Sequence, residues 1–386
     1  MSRPQTAYVG ARVFDGARLH ENCALIVAGD RFDGIVPVSD VLRSAKVITL
    51  DGGTLSPGFV DIQVNGGGGV MFNDDPSVAT LTLMANAHTR LGATSILATL
   101  ITDTPAQTNA SIHAVQSAIS AAVPGIIGLH LEGPHLAVRR KGAHDAALIR
   151  GMDDADVALL IEAARRLPVL MVTLAPESVT PAQIGQLAKA GVILSLGHSD
   201  AGFAACQTAV AAGARCVTHL FNAMSPLGSR EPGLVGAALR SAGVSAGIIA
   251  DFVHVHPDTL AIALTAKQGP GQIFLVSDAM ATAGSDIESF TLNGRRITRR
   301  NGRLTLADGT LAGADLDLAT AVGNVQTLGV EMPAALAMAT SVPAAVVGGG
   351  DRVGAIKRGR IADFIRLSSD TTLVGVWRRG CAVNLS

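Results

Sequence analysis

The chain has 386 residues, of which 48% are hydrophobic and only 16% charged, and its formal net charge is −1. This length and composition allow a large buried core, and the balanced charge argues against nucleic acid or an anionic membrane as a partner. The four cysteines form no CxxC pair, which argues against a disulfide framework, and the N-terminus lacks the apolar stretch of a signal peptide. We therefore expect a cytoplasmic protein without a nucleic-acid or membrane partner.

Residues 1–55 have the pattern of short strands separated by turns. Segments such as AYVGARVFDG and KVITLDGGTLSPG alternate apolar and polar residues and are interrupted by Asp-Gly and Gly-Gly pairs. The C-terminal segment GAIKRGRIADFIRLSSDTTLVGVWRRGCAV shows the same pattern. We expect residues 1–55 and 346–386 to form one small β-sandwich domain built from both termini.

The middle of the chain, residues 56–345, alternates short hydrophobic runs with Ala-rich segments of helical pattern. Eight of these runs are predicted to be strands: 59–64, 95–101, 126–131, 169–174, 192–196, 216–220, 246–250 and 273–276. Strands and helices in regular succession, joined by right-handed crossovers, predict an α/β fold in which the sheet closes into a (β/α)8 TIM barrel. A hairpin-like stretch at residues 288–308 predicts a β insertion in the eighth unit.

Four polar side chains stand at the carboxyl ends of predicted barrel strands. They are Glu132 in HLEGPH, His198 in LSLGHSD, His219 in VTHLFNAM and Asp278 in LVSDAM. A carboxylate with two imidazoles suits zinc or a similar divalent ion, and three protein ligands leave a fourth position for water, as in catalytic sites. We expect Asp278 either to accept a proton from that water or only to form a turn.

Further polar groups follow the sixth and seventh predicted strands. HLFNAMSPLGSREPG contains Asn222 and Arg230, and DFVHVHP contains His254 and His256. An arginine among neutral donors suits a phosphate or a carboxylate. The run of three cations at residues 139–141 can act in the same way, although such a run is more often a solvated loop.

Seven motifs occur in one order along the chain: PGFVDIQVNGGGG, HLEGPHLAVRRKGAH, LSLGHSDA, THLFNAMSPLGSREPGLVGA, GIIADFVHVHP, LVSDAMATAG and LAGADLDL. With them the chain resembles the amidohydrolase superfamily and, within it, the family of N-acetylglucosamine-6-phosphate deacetylases, nearly from end to end. The resemblance implies the same barrel and small β domain. It also implies hydrolysis of N-acetylglucosamine 6-phosphate to glucosamine 6-phosphate and acetate, in amino-sugar catabolism or cell-wall recycling.

The resemblance further implies roles for individual residues. Glu132, His198 and His219 would bind the metal ion, with zinc the expected ion, and Asp278 would act first as general base and then as general acid. His144 would hydrogen-bond the amide carbonyl and stabilise the oxyanion. The implied substrate-binding residues are His144, Asn222, Ala223, Arg230, His254 and Ala312. Some phosphate contacts come from the neighbouring subunit in the family, which implies a homodimer.

One departure from the superfamily pattern concerns the end of the first strand. The usual His-x-His pair, which binds a second metal ion, is replaced by Gln63 and Asn65. An amide oxygen is a poor zinc ligand beside imidazole, so we predict one metal ion and treat these positions as possible vestiges of a second site.

Three alternatives to this function remain open. The motifs do not separate N-acetylglucosamine 6-phosphate from its galacto epimer. Deaminases and cyclic amidases of the superfamily usually keep the first-strand His pair, which disfavours those activities. A metal-free binding protein built on the barrel predicts broken ligands, whereas Glu132, His198, His219 and Asp278 are all present.

Overall fold

The computed structural model describes residues 4–385. Within them, eight parallel strands form the central sheet: Phe59–Val64, Ala93–Ile101, Ile126–Glu132, Leu170–Leu174, Ile193–Leu196, Cys216–Val217, Ser245–Ile248 and Ile273–Leu275. Strands adjacent in the chain are adjacent in the sheet, and a parallel bridge between Val64 and Ala279 joins its two ends. The predicted (β/α)8 TIM barrel is therefore confirmed.

Helices alternate with these strands as the sequence predicts. The α-helices of residues 4–385 are α1 Val78–Arg90, α2 Pro105–Ser120, α3 Asp154–Arg166, α4 Pro181–Lys189, α5 Phe203–Ala212, α6 Gly233–Arg240, α7 Pro257–Ala266, α8 Leu318–Thr327, α9 Met332–Ala339 and α10 Ser341–Val346, and short 3-10 helices span Val38–Asp40 and Val138–Arg140. Thr104 caps α2 and Thr180 caps α4, each followed by proline at the first helical position. None of these helices combines the length and apolar character needed to cross a bilayer.

The sixth barrel strand is shorter than predicted. The sequence predicts a strand through residue 220, but the strand ends at Val217. His219 has φ 27° and Phe221 has φ 79°, and a backbone with positive φ cannot continue a pleated strand. The chain therefore leaves the sheet just before the predicted metal ligand.

The chain contacts divide the protein into two compact units. The first comprises Ile62–Ala87 and Ile96–Leu316, and the second comprises residues 4–61, 88–95 and 317–385. All the residues predicted for the active site belong to the first unit. The predicted domain boundaries at residues 55/56 and 345/346 stay predictions.

The second unit contains two sheets made from both termini. One has four strands, Gln5–Val9, Cys23–Ala28, Arg31–Pro37 and Lys46–Thr49, and the other has six, Arg12–Phe14, Leu19–His20, Thr54–Pro57, Phe364–Leu367, Leu373–Arg378 and Cys381–Ala382. Leu25 of the first sheet and Leu55 and Phe364 of the second belong to one buried core. This sandwich is the β-rich domain that the terminal segments predict.

The first unit also contains two antiparallel additions. A hairpin of Gly66–Gly67 and Val70–Met71 follows the first barrel strand. The predicted β insertion is a sheet of four strands, Ser289–Leu292, Arg295–Arg300, Arg303–Thr305 and Leu311–Ala314. Its apolar face shares a buried core with Met71, Ile101 and Met280, which anchors the insertion beside the carboxyl ends of the barrel strands.

Candidate active site

A cavity of about 360 Å³ lies at the carboxyl ends of the barrel strands, within the first unit. This is the end at which TIM barrels carry their active sites. The predicted site residues that line the cavity are Asn65, Glu132, His144, His198, His219, Asn222, Ala223, His254 and Asp278.

Three of these side chains form a cluster suited to a metal ion. Oε1 of Glu132 lies 3.1 Å from Nε2 of His198 and 3.0 Å from Nε2 of His219, and the two nitrogens are 3.1 Å apart. All three residues are at most 5% exposed. Buried lone pairs facing one another this closely are costly unless a proton or a cation lies between them.

The surroundings of His198 fix the orientation of its ring. Nδ1 lies 2.8 Å from the carbonyl oxygen of Arg140, and a carbonyl can only accept a hydrogen bond. Nδ1 therefore carries a hydrogen, and Nε2 is the ring nitrogen that faces Glu132 and His219. Metal-binding histidines are typically held by such a bond to the other ring nitrogen, so this donor set fits a divalent cation.

The backbone is strained at two residues of this cluster and at the neighbouring Asp278. His198 has φ 47°, His219 has φ 27° and Asp278 has φ 50°. Positive φ at a residue other than glycine costs on the order of 1 to 3 kcal/mol, and such strain concentrates at functional sites. Each residue follows a barrel strand at the point where the chain turns, which explains why the sequence pattern located them.

Two buried carboxylates share the site but differ in their electrostatics. Burial raises the pKa of Asp278 to about 6, and the negative charge of Glu132 adds to the rise. Burial also acts to raise the pKa of Glu132, but His198 and His219 outweigh it and hold that pKa well below its ordinary value. Glu132 is therefore the permanent anion, and Asp278 is the group that exchanges a proton near neutral pH.

The amides of Gln63 and Asn65 bind these carboxylates. Nε2 of Gln63 lies 3.2 Å from both Oε1 of Glu132 and Oδ1 of Asp278, and Nδ2 of Asn65 lies 2.8 Å from the same Asp278 oxygen. Neutral N–H donors thus occupy the positions at which the superfamily carries a second pair of metal ligands. This arrangement suits a site with one cation, and the metal count stays a prediction.

His144 is held in one tautomer by Thr102. The backbone N–H of Thr102 points at Nδ1 over 3.3 Å, and its hydroxyl lies 2.8 Å from the same nitrogen. A backbone N–H can only donate, so Nδ1 accepts and the neutral ring carries its hydrogen on Nε2. Burial and the neighbouring His198 hold the pKa of His144 well below its ordinary value, which keeps the ring neutral.

The predicted substrate-binding residues divide into two groups. His144, Asn222, Ala223 and His254 line the cavity. Arg230 is exposed on the loop before α6, and Ala312 is fully buried behind the lining. The residues on either side of Ala312 do line the cavity.

Gly313 brings the backbone of the insertion against the site. A Cβ atom at this position would lie 2.8 Å from the carbonyl oxygen of Asp278 and 2.4 Å from Cγ of Met280, and its φ is +69°. Only glycine allows this approach, which places the Leu311–Ala314 strand directly beside Asp278.

Several further residues line or support the site, and the sequence indicated them weakly or not at all. Arg139 and Arg140 line the cavity, although a solvated loop is the more common environment for such a run, and both pair with Asp200. Thr102 carries no sequence signal because its partner His144 is 42 residues away. Asp251 has a weak signal, its Asp-x-x-His spacing to His254 in DFVHVHP.

Comparison with known proteins gives consistent similarities. Residues 54–384 match the Amidohydrolase family. An N-acetylgalactosamine-6-phosphate deacetylase of Shewanella sp. (strain ANA-3) is 42% identical over 98% of this chain and 97% of its own length. An N-acetylglucosamine-6-phosphate deacetylase of Haemophilus influenzae is 34% identical over 91% of this chain and 92% of its own. The crystal structure of N-acetylglucosamine-6-phosphate deacetylase from Pasteurella multocida superposes with a TM-score of 0.93 at 35% identity, covering 98% of this chain and 99% of the other.

Proposed function

Because the chain belongs to the amidohydrolase family, we propose that it is a metal-dependent deacetylase of N-acetylated amino-sugar 6-phosphates. The proposed substrate is N-acetylglucosamine 6-phosphate, hydrolysed in the cytoplasm to glucosamine 6-phosphate and acetate. The observation that carries this proposal is the convergence of Glu132, His198 and His219 beside Asp278 in one cavity. The names of the relatives that cover nearly the whole chain support the substrate class.

Glu132, His198 and His219 are the proposed ligands of a single divalent ion, with zinc the ion that suits one carboxylate and two imidazoles. When bound, such an ion activates a water molecule at neutral pH and polarises the carbonyl oxygen of the substrate. The hydrogen bond from His198 to the Arg140 carbonyl keeps the ligand lone pair directed at the site.

Asp278 is the proposed proton carrier. Because its pKa is raised to about 6, the side chain is mostly ionised at pH 7 and accepts the proton of the attacking water. The same raised pKa makes the protonated form a competent acid for the departing amine. Asn65 and Gln63 both donate to Oδ1, so Oδ2 is the oxygen available for proton transfer.

His144 is the proposed donor to the amide oxygen. Its Nε2–H group belongs to a neutral ring. The imidazole therefore donates a hydrogen bond to the amide oxygen but does not transfer its proton to the departing amine. A fixed donor of this kind stabilises the negative charge that develops on the oxygen as the carbonyl is attacked.

The phosphate is proposed to meet Asn222 and His254, with backbone groups near Ala223 and Ala312 completing the sugar pocket. Arg230 lies outside the cavity lining of its own chain and is exposed. We therefore propose that Arg230 reaches the phosphate bound by a second copy of the chain, in a homodimer.

N-acetylgalactosamine 6-phosphate is the second candidate substrate, favoured by the 42% identity to the Shewanella enzyme of that name. The test is the rate of acetate release from both epimeric 6-phosphates, with unphosphorylated N-acetylglucosamine as the control. We expect kcat/KM of about 10⁴ M⁻¹s⁻¹ or more for at least one 6-phosphate, and far less for the control. The absence of acetate from both 6-phosphates with zinc-supplemented protein would refute the proposal.

A further inference from the structure

A second carboxylate and histidine pair lies in the loop after the seventh barrel strand. Oδ1 of Asp251 accepts hydrogen bonds from the backbone N–H groups of Val253, at 2.9 Å, and His254, at 2.8 Å. Oδ2 lies 2.6 Å from Nδ1 of His254. Both side chains are 7% exposed. Burial raises the pKa of Asp251, but these hydrogen bonds and the His254 ring outweigh it and lower that pKa, so the side chain is an anion.

Only one member of the pair borders the cavity. His254 lines the cavity, whereas Asp251 does not. Since a carboxylate only accepts, Nδ1 of His254 carries a hydrogen, and Nε2 is the nitrogen left for a ligand. Among residues 4–385 no group hydrogen-bonds to Nε2.

The charge of the His254 ring decides which ligand atom Nε2 can meet. A neutral ring with hydrogen on Nδ1 offers a lone pair at Nε2, which suits a hydroxyl group. An imidazolium ring offers a charged N–H donor, which suits a phosphate oxygen. Oδ2 of Asp251, at 2.6 Å from Nδ1, is placed to compensate the charge of the imidazolium form when Nε2 meets a phosphate oxygen.

We propose that Asp251 is a positioning residue that makes His254 the cationic anchor for the 6-phosphate of the substrate. Asp251 holds the Nδ1–H group and compensates the positive charge of the ring, while Nε2–H donates to the phosphate. Asp251 itself does not touch the substrate and acts only through His254. The inference rests on the proposed function, because it assigns a recognition element to the 6-phosphate of that substrate.

The same segment contains a matched control. Nδ1 of His256 lies 3.6 Å from Oδ2 of Asp258, and these side chains are 69% and 88% exposed. The pair has the same two residue types, but Nδ1 of His256 accepts a hydrogen bond from the backbone N–H of Asp258, and solvent screens the Asp258 carboxylate. An Asp258→Asn substitution therefore removes one negative charge close by in the chain, in the first turn of α7, from a residue that does not line the cavity.

The experiment compares Asp251→Asn and Asp258→Asn on N-acetylglucosamine 6-phosphate and on unphosphorylated N-acetylglucosamine. Asparagine keeps the size of the side chain and an oxygen that can accept the backbone hydrogen bonds. Loss of one charge-assisted hydrogen bond predicts that KM for the 6-phosphate rises about 10- to 100-fold, with kcat within about threefold of wild type. Asp251→Asn should leave kcat/KM for the unphosphorylated sugar unchanged, and Asp258→Asn should leave both substrates unchanged.

A double variant separates positioning from a general effect on the loop. If Asp251 acts through His254, Asp251→Asn adds no further loss in a His254→Gln background. An equal loss for both substrates, an additive loss in the double variant, or a normal KM for the 6-phosphate in Asp251→Asn would each overturn the inference.

Binding of glucosamine 6-phosphate provides a readout without turnover. Titration calorimetry should show a 10- to 100-fold weaker affinity, in the range of about one charge-assisted hydrogen bond, for Asp251→Asn and for His254→Gln alike. If the wild-type protein binds this ligand but releases no acetate, the proposed reaction fails while Asp251 is still tested. If Asp251→Asn does not fold, normal affinity in His254→Gln would still overturn the inference.

Discussion

His144 offers a sharp test of the proposed chemistry, because its surroundings fix which nitrogen carries the hydrogen. The Thr102 N–H, 3.3 Å from Nδ1, leaves Nε2–H as the donor of the neutral ring. Replacing His144 with alanine removes this donor without removing a charge. Loss of one oxyanion donor costs about 2.7 to 4 kcal/mol of transition-state stabilisation, which corresponds to about 100- to 1,000-fold in kcat.

The substitution should affect the transition state more than the bound substrate. The His144 side chain is 4% exposed, and the space that alanine leaves borders the cavity, so water can enter and act as a weak replacement donor. Residual turnover should therefore be measurable. We expect KM to change less than about threefold, because the donor acts mainly on charge that develops during attack.

The assay is acetate release over a range of N-acetylglucosamine 6-phosphate concentrations that gives both kcat and KM, alongside thermal unfolding to verify the fold. His113→Ala is the matched control, because His113 is exposed on α2 and that helix contains none of the predicted site residues. A His144→Ala enzyme with kcat within about threefold of wild type, or with a loss confined to KM, would refute the assigned role.

Three other changes test the carboxylates. Asp278→Asn should lower kcat by about 100- to 10,000-fold while calorimetry shows unchanged product binding. Asn65→Ala removes a hydrogen-bond donor that favours the ionised form of Asp278, so the pKa of Asp278 should rise above about 6. The acid limb of the pH profile should then move up by about one pH unit, and an unmoved limb would contradict this. Asp156→Ala breaks the Arg150 ion pair and should cost about 1 to 3 kcal/mol of unfolding free energy at pH 7. Although burial acts to raise the pKa of Asp156, the Arg150 ion pair lowers it in the folded protein. The difference in unfolding free energy between wild type and Asp156→Ala should therefore vanish as the pH falls through that lowered pKa. Denaturant titrations at pH 7 and at a pH below that pKa would show this.

Strand ends were the most predictable part of the site. Hydrophobic runs of strand length located the residues that follow them, and closure of the barrel brings those residues together. Glu132, His198, His219 and Asp278 are predicted from different parts of the chain, and all four line one cavity. The sequence also marks two helix starts that the sequence analysis above does not predict, because Thr104 and Thr180 provide capping side chains before a proline.

The contacts between loops were not predictable from the sequence. Two examples are the hydrogen bond between Thr102 and His144 and the ion pairs of Arg139 and Arg140 with Asp200. Each depends on how loops that follow different barrel strands meet. Hydrophobic periodicity carries no information about such long-range polar contacts.

Local backbone strain was equally hidden from the pattern. The run VTHLF has the composition of a strand, yet the chain turns after Val217 because His219 adopts a positive φ. Propensity favours the strand, and the packing of the site overrides it.

The central claim is that Glu132, His198 and His219 hold one catalytic ion, and titration of metal-free protein with zinc tests it most directly. Acetate release from N-acetylglucosamine 6-phosphate is measured after each substoichiometric addition, with Glu132→Gln as the comparison. The account predicts that activity is absent without metal and rises linearly to a plateau at about one ion per chain, and that Glu132→Gln gains little. Full activity in metal-free protein, or a plateau only at two ions per chain, would contradict it.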